Sequence, residues 1–183
     1  LQANTPLQWG ETVKAAAFVI GLLLTCGAQA LAQGLDRQYE CERVWPGAIS
    51  IDGKLDEAAW KVAFGLELVN SRTGGQPAQR TEAKLLWDNR NLYVAFKCED
   101  RDVWGTLTGR DAPVFTQEAV EVFIAPHGPG KPYYELDVNP LGTLFDTIVE
   151  DRALFAVQSD RWVHTFNSQG KWAVQVDGTV NDL

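Results

Sequence analysis

The sequence predicts an all-β fold, a two-layer antiparallel β-sandwich of the jelly-roll or immunoglobulin-like kind. Three observations lead to this prediction: the apolar runs are short, turn-forming residues separate them, and no stretch has the period of a long amphipathic helix. Many short strands joined by Gly- and Pro-rich turns are typical of sandwiches, in which each sheet buries one face. A chain of 183 residues is long enough to build one such core.

The first half of the predicted domain contains one short helix and one hairpin. Residues 49–51 are predicted to form a strand, and Asp56 is predicted to cap a single helical turn over 57–60. Residues 83–87 and 92–98 are rich in strand-forming residues, and four turn-forming residues separate them. This spacing predicts an antiparallel hairpin.

The second half of the domain is predicted to be strands only. Four strands are expected, at 119–124, 133–139, 143–149 and 171–177. Apolar and polar residues alternate in the second of them, so we expect Leu136 and Val138 to face the core and Asp137 and Asn139 to face outward. The chain stops soon after the last of these strands, and we therefore expect the closing strands of the sandwich to be missing at the C-terminus.

Residues 1–32 are predicted to be a secretory signal peptide, which leaves 33–183 as the mature domain. An apolar run from Ala15 to Thr25 follows Lys14, and Ala30 and Ala32 provide an A-x-A cleavage site. The run is too short to span a bilayer. We therefore expect a secreted or periplasmic protein with no membrane span.

The start of this leader allows two further interpretations. The chain contains no Met, and Val13-Lys14 would read Met-Lys at a GUG start codon. Residues 1–12 are therefore interpreted as upstream sequence translated in error, the alternative being a longer natural leader. A lipid anchor at Cys26 is an alternative to cleavage, although Thr25 before the Cys is a poor match to a lipobox.

Charge and cysteine content narrow the class of partner and the compartment. The net charge is −8, and nucleic acid is excluded as a partner because phosphate binding needs clustered Lys and Arg. Cys41 and Cys98 remain in the mature part. A pair of cysteines in an oxidising compartment predicts a disulfide, and two buried thiols are the alternative.

Four motifs in order carry a family resemblance that spans residues 49–177. They are Ile51-Asp52-Gly53-Lys54-Leu55-Asp56-Glu57-Ala58-Ala59-Trp60, Leu86-Trp87-Asp88 with Leu92-Tyr93-Val94, Glu118 to Ile124, and Tyr133 to Asn139. Together they resemble the family 9 carbohydrate-binding modules. The resemblance implies a two-sheet antiparallel sandwich, a sugar site, often bound calcium, and a role in polysaccharide breakdown beside xylanases and other glycoside hydrolases. It therefore predicts a plant-type polysaccharide or its oligosaccharides as ligand.

The resemblance also implies a site that holds a sugar between aromatic rings and polar groups. It places the first aromatic at Phe115, and the second in a C-terminal segment that this chain lacks, for which Trp162 or Trp172 is a substitute. The loop residue Trp104 is a further stacking candidate. The full predicted ligand-binding set is Phe115, Glu118, Glu121, Glu135, Asp137, Asn139 and Trp104.

Calcium is the one metal that the resemblance implies, and no cofactor is required for sugar binding. The acidic residues Glu99, Asp100 and Asp102 offer the oxygen ligands that calcium prefers, and a solvated turn is the alternative interpretation. A haem-binding sandwich is disfavoured because such a site typically uses a Met/His pair. The chain has no Met, and its two His are His127 and His164.

Three rival functions remain open at this point. The first is glycoside hydrolysis, which would need two opposed carboxylates. The residues that could supply them are Glu118, Glu121, Glu135 and Asp137. We expect these side chains on an exposed sheet face, where little desolvation would raise a pKa. The second is a solvated sheet face that binds nothing, and the third is a surface scaffold without affinity for sugar.

Overall fold

The structure is a computed structural model that describes residues 14–16, 38–128, 131–150 and 166–182. Almost all of its regular structure is β. The elements are β1 (Lys14–Ala16), β2 (Gln38–Glu40), β3 (Glu42–Arg43), α1 (Ala58–Val62), β4 (Leu66–Glu67), β5 (Thr81–Trp87), β6 (Leu92–Cys98), a 3₁₀ helix (Val114–Thr116), β7 (Val120–Ile124), β8 (Tyr133–Val138) and β9 (Leu144–Val149). The all-β prediction is confirmed, and the strands form two main sheets, as a β-sandwich requires.

The chain divides into two compact units, the first made of 1–48 with 62–98 and the second of 49–61 with 99–183. The predicted signal peptide falls almost entirely outside the described residues, as do Cys26, Trp162 and His164. Its one described piece, β1, pairs antiparallel with β2. In the part of the chain that the structure describes, no helix has both the length and the apolar character needed to cross a bilayer.

The first unit is built on the predicted hairpin, which is confirmed. β5 pairs antiparallel with β6 from Thr81↔Cys98 to Trp87↔Leu92. The connecting turn is closed by Asp88, whose carboxylate accepts hydrogen bonds from the backbone N–H groups of Arg90 and Asn91 at 2.7 and 2.8 Å. β3 pairs parallel with one end of β5, and β4 pairs antiparallel with the other.

The disulfide predicted between Cys41 and Cys98 is wrong. The structure does not join them. Cys41 precedes β3, which pairs with Leu86 and Trp87 of β5, whereas Cys98 pairs with Thr81 at the opposite end of β5. The positions on β5 beside Cys41 and Cys98 are therefore four residues apart, which is about 13 Å along a strand. A disulfide needs Cα atoms within about 7 Å. The sheet register therefore keeps the two thiols apart.

The second unit contains a three-stranded antiparallel meander, in the order β7-β8-β9. Its core includes Val114, Leu144 and Phe145, each at most 3% exposed. The predicted helical turn is confirmed as α1, in which Trp60 is 3% exposed.

The motif that opens the family resemblance forms a tight loop in the second unit. Gly53 has φ +84°, and a Cβ there would lie 2.9 Å from backbone atoms of Val174 and Gln175. A side chain at this position would clash with that segment, so only Gly fits. Glu57 fixes the same loop, because its carboxylate accepts the backbone N–H of Ser50 at 2.8 Å.

Two predicted strands are wrong, those at 49–51 and 171–177, which the structure describes without strand pairing. Alternation of apolar residues reports side-chain faces, whereas a strand also needs a neighbour for its ladder of hydrogen bonds. In 171–177 the alternating residues Trp172 and Val174 are both 40% exposed.

The predicted orientation of β8 is also wrong. Asp137 and Asn139, expected to face outward, are 0% and 1% exposed, whereas Tyr134 on the other face is 36% exposed. The reason lies in β9, where Phe145 is directly opposite Asp137 and is 1% exposed. Alternation indicates that two faces differ in polarity, but it does not indicate which of them the rest of the chain covers.

Candidate functional site

One face of the second unit's sheet carries a row of two carboxylates and two aromatic rings. Glu121 on β7 lies directly opposite Asp137 on β8, and Asp137 lies directly opposite Phe145 on β9. The ring of Phe115, from the 3₁₀ helix, packs edge-on against Phe145 with 5.2 Å between centroids. The structure therefore brings three of the predicted site residues onto one face, which we call the acidic–aromatic row: Glu121, Asp137, Phe145 and Phe115.

Glu135 adds a third carboxylate beside this row. It lies on β8 two residues before Asp137, so both side chains point to the same face, and it is 6% exposed. Its partner in the register is Phe123 on β7. β9 contributes no charge to this face, because its one charged residue, Asp146, points to the opposite face of the sheet.

Burial and mutual repulsion raise the pKa values of these three carboxyls. Burial, reinforced by the negative charges of Glu135 and Glu121, raises the pKa of Asp137 to about 8. Burial and then repulsion from Glu121 raise the pKa of Glu135 to about 7. Glu121 remains partly exposed, and partial desolvation raises its pKa. The expectation that this face would leave carboxyl pKa values unchanged is therefore wrong, because it assumed an exposed face.

Asp137 is the least compensated polar group of the site. Both of its carboxylate oxygens are buried, and within the described ranges neither has a hydrogen-bond partner. A buried acceptor without a partner costs free energy that a nearby ligand or proton can recover. Protonation is the response that the raised pKa indicates.

Asn139, predicted to contact sugar, is used inside the protein. Its side-chain oxygen accepts the backbone N–H groups of Leu141 and Thr143 at 3.1 and 2.9 Å. Its amide nitrogen donates to the backbone oxygen of Leu107 at 2.8 Å. Asn139 therefore holds the β8–β9 turn, which corrects its predicted place on an outer polar face.

Trp104 and Glu118, both predicted site residues, are joined in one loop. The Glu118 carboxylate accepts the backbone N–H of Trp104 at 2.9 Å. Asn181 binds the next residue twice, accepting from the N–H of Gly105 at 3.0 Å and donating to its carbonyl oxygen at 2.9 Å. The indole itself is 39% exposed. The loop thus presents an aromatic ring to solvent on a backbone that several hydrogen bonds fix.

A second exposed indole, Trp172, contacts the β8–β9 turn. It is 40% exposed, and its Nε1 donates to the backbone oxygen of Gly142 at 2.9 Å. The guanidinium of Arg110 lies 5.4 Å from the centre of its ring and is bound by Asp146 at 2.6 Å and by Asp111 at 2.9 Å. Sequence reasoning missed Arg110, because a single Arg between Gly and Asp matches no motif.

The acidic residues predicted as calcium ligands lie in a turn after β6. Asp100 accepts the backbone N–H of Asp102 at 3.0 Å, as in an ordinary Asx turn. Among the described residues, no three His, Cys, Asp or Glu side chains gather so that they could hold a metal ion. Calcium binding at Glu99, Asp100 and Asp102 therefore stays a prediction, and no role is derived for the ion.

Comparisons with known proteins agree with the motifs. The family described as "Carbohydrate family 9 binding domain-like" matches residues 51–172. The chain is 33% identical over 94 residues to Endo-1,4-beta-xylanase C of Paenibacillus barcinonensis. That match covers 51% of this chain and 8% of the xylanase, so the chain spans under a tenth of that protein's length. No solved structure gives a significant match.

Proposed function

The chain belongs to the carbohydrate family 9 binding domain-like family, and from this membership we propose that it binds a saccharide on its second unit without cleaving it. The observation that carries the proposal is the acidic–aromatic row. Sugar recognition combines an aromatic surface against the ring face with fixed acceptors for hydroxyls. The proposed ligand is a plant-type polysaccharide or its oligosaccharides, which the name of the xylanase relative supports.

The burial of each residue decides its role in the proposal. Glu121 is exposed and accepts hydrogen bonds from sugar hydroxyls, while half-buried Phe115 and exposed Trp104 offer ring surface. Asp137 and Glu135 lie deeper, at 0% and 6% exposure, and belong to the buried support of this face rather than to the surface that meets the sugar. Glycoside hydrolases are the proposed partners, because such a module would hold an enzyme on its substrate.

The test is a glycan array with the full chain, followed by calorimetric titration of the best oligosaccharide. Glu121→Gln should weaken binding about tenfold or more, the scale of one charged hydrogen bond. Phe115→Leu should weaken it less and leave the fold intact. Trp45→Ala is the control, because Trp45 is 85% exposed and belongs to the first unit. Normal binding by both site variants, or equal loss in the control, would contradict the proposal.

Glycoside hydrolysis is the second candidate, and one observation favours it. Glu135 combines a pKa of about 7 with two neighbouring carboxylates, as a general acid requires. Purified protein incubated with xylan would then release reducing ends, and Glu135→Gln would abolish the release. Release that survives Glu135→Gln, or none at all, would reject this candidate.

Export belongs to the same proposal, because a module for polysaccharide must meet it outside the cytoplasm. The apolar run with its A-x-A site supports this. N-terminal sequencing of exported protein should begin near Gln33. A mature chain that starts before Ala15 would contradict cleavage, and a lipid on Cys26 would instead establish anchoring.

A further inference from the structure

Two carboxyl groups of the acidic–aromatic row lie directly opposite each other on neighbouring strands. Glu121 of β7 is paired with Asp137 of β8 in the sheet register, and alternation puts Glu135 on the same face. Side chains directly opposite in an antiparallel pair have Cβ atoms about 4.5–5.5 Å apart. Two ionised carboxylates at that separation repel each other and destabilise the sheet. The pair is therefore more stable when it holds one proton.

Asp137 has no hydrogen bond that would compensate a negative charge. It is 0% exposed, and within the described ranges neither of its carboxylate oxygens has a partner. A protonated carboxyl group can donate a hydrogen bond, whereas an ionised one can only accept. A proton on Asp137 would thus replace the repulsion of Glu121 by a charge-assisted hydrogen bond to it. Glu121 would keep other lone pairs for the hydroxyls of a sugar.

The strands and the helix packed against Asp137 supply no cation that could replace this proton. Apart from Glu121, the side chains that β7, β9 and the 3₁₀ helix place on this face are neutral, namely Phe115, Phe123, Phe145 and Thr147. Arg110 is bound by Asp146, which points to the opposite face. Burial raises the pKa of Asp137 to about 8, and the charges that add to this effect are both negative, those of Glu135 and Glu121.

A saccharide that covers Glu121 should make the proton of this pair harder to remove. Glu121 is exposed, so water solvates its end of the pair in the free protein. A bound sugar displaces that water, and desolvation disfavours the charged form of a carboxyl group. The complex should therefore keep the proton to a higher pH than the free protein does. By linkage, affinity is then highest at low pH and falls as the pH rises through the pKa of the free pair.

We propose that Glu121 and Asp137 share one proton, and that this proton couples saccharide binding to pH, so that the protein holds its saccharide while the pair is singly protonated and releases it as rising pH removes the proton. This inference rests on the proposed saccharide binding and adds its regulation. Asp137 is a positioning residue in this scheme, because it is buried and acts on the sugar only by holding the carboxylate of Glu121.

The test is calorimetric titration of the full chain with xylohexaose and with cellohexaose at about pH 6 and about pH 9. Affinity should be about three- to tenfold lower at the higher pH, because raising the pKa of one group by about one changes affinity at most tenfold. Titrations at about pH 8.5 in buffers of different ionisation enthalpy should show uptake of roughly half a proton per saccharide. Asp137→Asn, whose amide donates without titrating, should bind equally at both pH values and take up no proton.

Glu135→Gln perturbs the pair without changing either of its members. Removing this negative charge lowers the pKa of Asp137, so the fall in affinity should begin at a lower pH. Asp177→Asn is the control, because Asp177 is exposed in the same unit, and it should keep the pH dependence of the unmodified protein. Melting temperatures at each pH report on folding.

Two results would overturn the shared proton while saccharide binding stands. The first is equal affinity of the unmodified protein at both pH values, and the second is a fall in affinity that persists in Asp137→Asn. If neither hexasaccharide nor any glycan of the array binds at any pH, both the inference and the proposed function are wrong.

Discussion

Replacing Asp137 by Asn should remove much of the pH dependence of the protein's stability. In the unfolded chain an Asp titrates near pH 3.9, whereas burial and its two acidic neighbours raise the pKa of Asp137 to about 8 in the folded state. The folded state therefore binds this proton more tightly. The bound proton stabilises the folded state fully below about pH 4, and this stabilisation is lost as the pH rises to about 8.

The size of the effect follows from the difference between the two pKa values. At 1.36 kcal/mol per pH unit, the unfolded state gains about 4 kcal/mol relative to the folded state between pH 4 and pH 7 through this one group. Asn has nearly the same shape and does not titrate. Urea unfolding at several pH values should therefore show a flatter stability curve for Asp137→Asn, and a higher free energy of unfolding at pH 7.

Asp177→Asn is the matched control, because Asp177 lies in the same unit and is exposed. It should leave the curve unchanged. A curve for Asp137→Asn that runs parallel to that of the unmodified protein would refute the reasoning, since Asp137 would then not hold its proton in the folded state.

Three substitutions and one mapping experiment test the fold. Asn139→Ala should lower the free energy of unfolding by about 1–3 kcal/mol in urea titration, because it leaves the backbone N–H groups of Leu141 and Thr143 without their acceptor and removes one of two hydrogen bonds to the Leu107 carbonyl. Trp60→Ala should cost about 3–5 kcal/mol by the same measurement, since the ring is almost fully buried. Gly53→Ala should cost at least about 1 kcal/mol, because φ is +84° and the new methyl group meets Val174 and Gln175, whereas an unchanged melting temperature would refute that contact. Non-reducing peptide mapping should find no Cys41–Cys98 link. Alkylation should be slower at Cys41 than at an exposed cysteine, because burial raises the pKa of the Cys41 thiol to about 11.

Local patterns predicted the local structure. Four turn residues between two β-rich runs were enough to predict the hairpin, because Asp88 closes that turn through its own neighbours. The helical turn at Trp60 was likewise predictable from residues that are adjacent in sequence. The strand predicted at 171–177 failed because strand formation depends on partners elsewhere in the chain.

The candidate site was predictable in position but not in environment. The alternation of residues along β8 correctly predicted that Glu135 and Asp137 point to the same face. It wrongly predicted that this face is exposed to solvent, because residues distant in sequence, such as Phe115 and Phe145, decide which face is buried. The exposure of Trp104 was foreseen from its loop. The contribution of Arg110, which lies against Trp172, was not foreseen, since Arg110 belongs to no pattern along the chain.

The close approach of Gly53 to Val174 and Gln175 has a consequence for how the second unit folds. The loop that opens the unit is closed by a segment near the other end of the chain, and Asn181 likewise binds back to Val103 and Gly105. Contacts between residues so distant in sequence are slow to form. During synthesis on the ribosome, this unit therefore cannot complete its folding until residues 174–181 have emerged, and until then its β7–β9 meander must be protected from pairing with other chains.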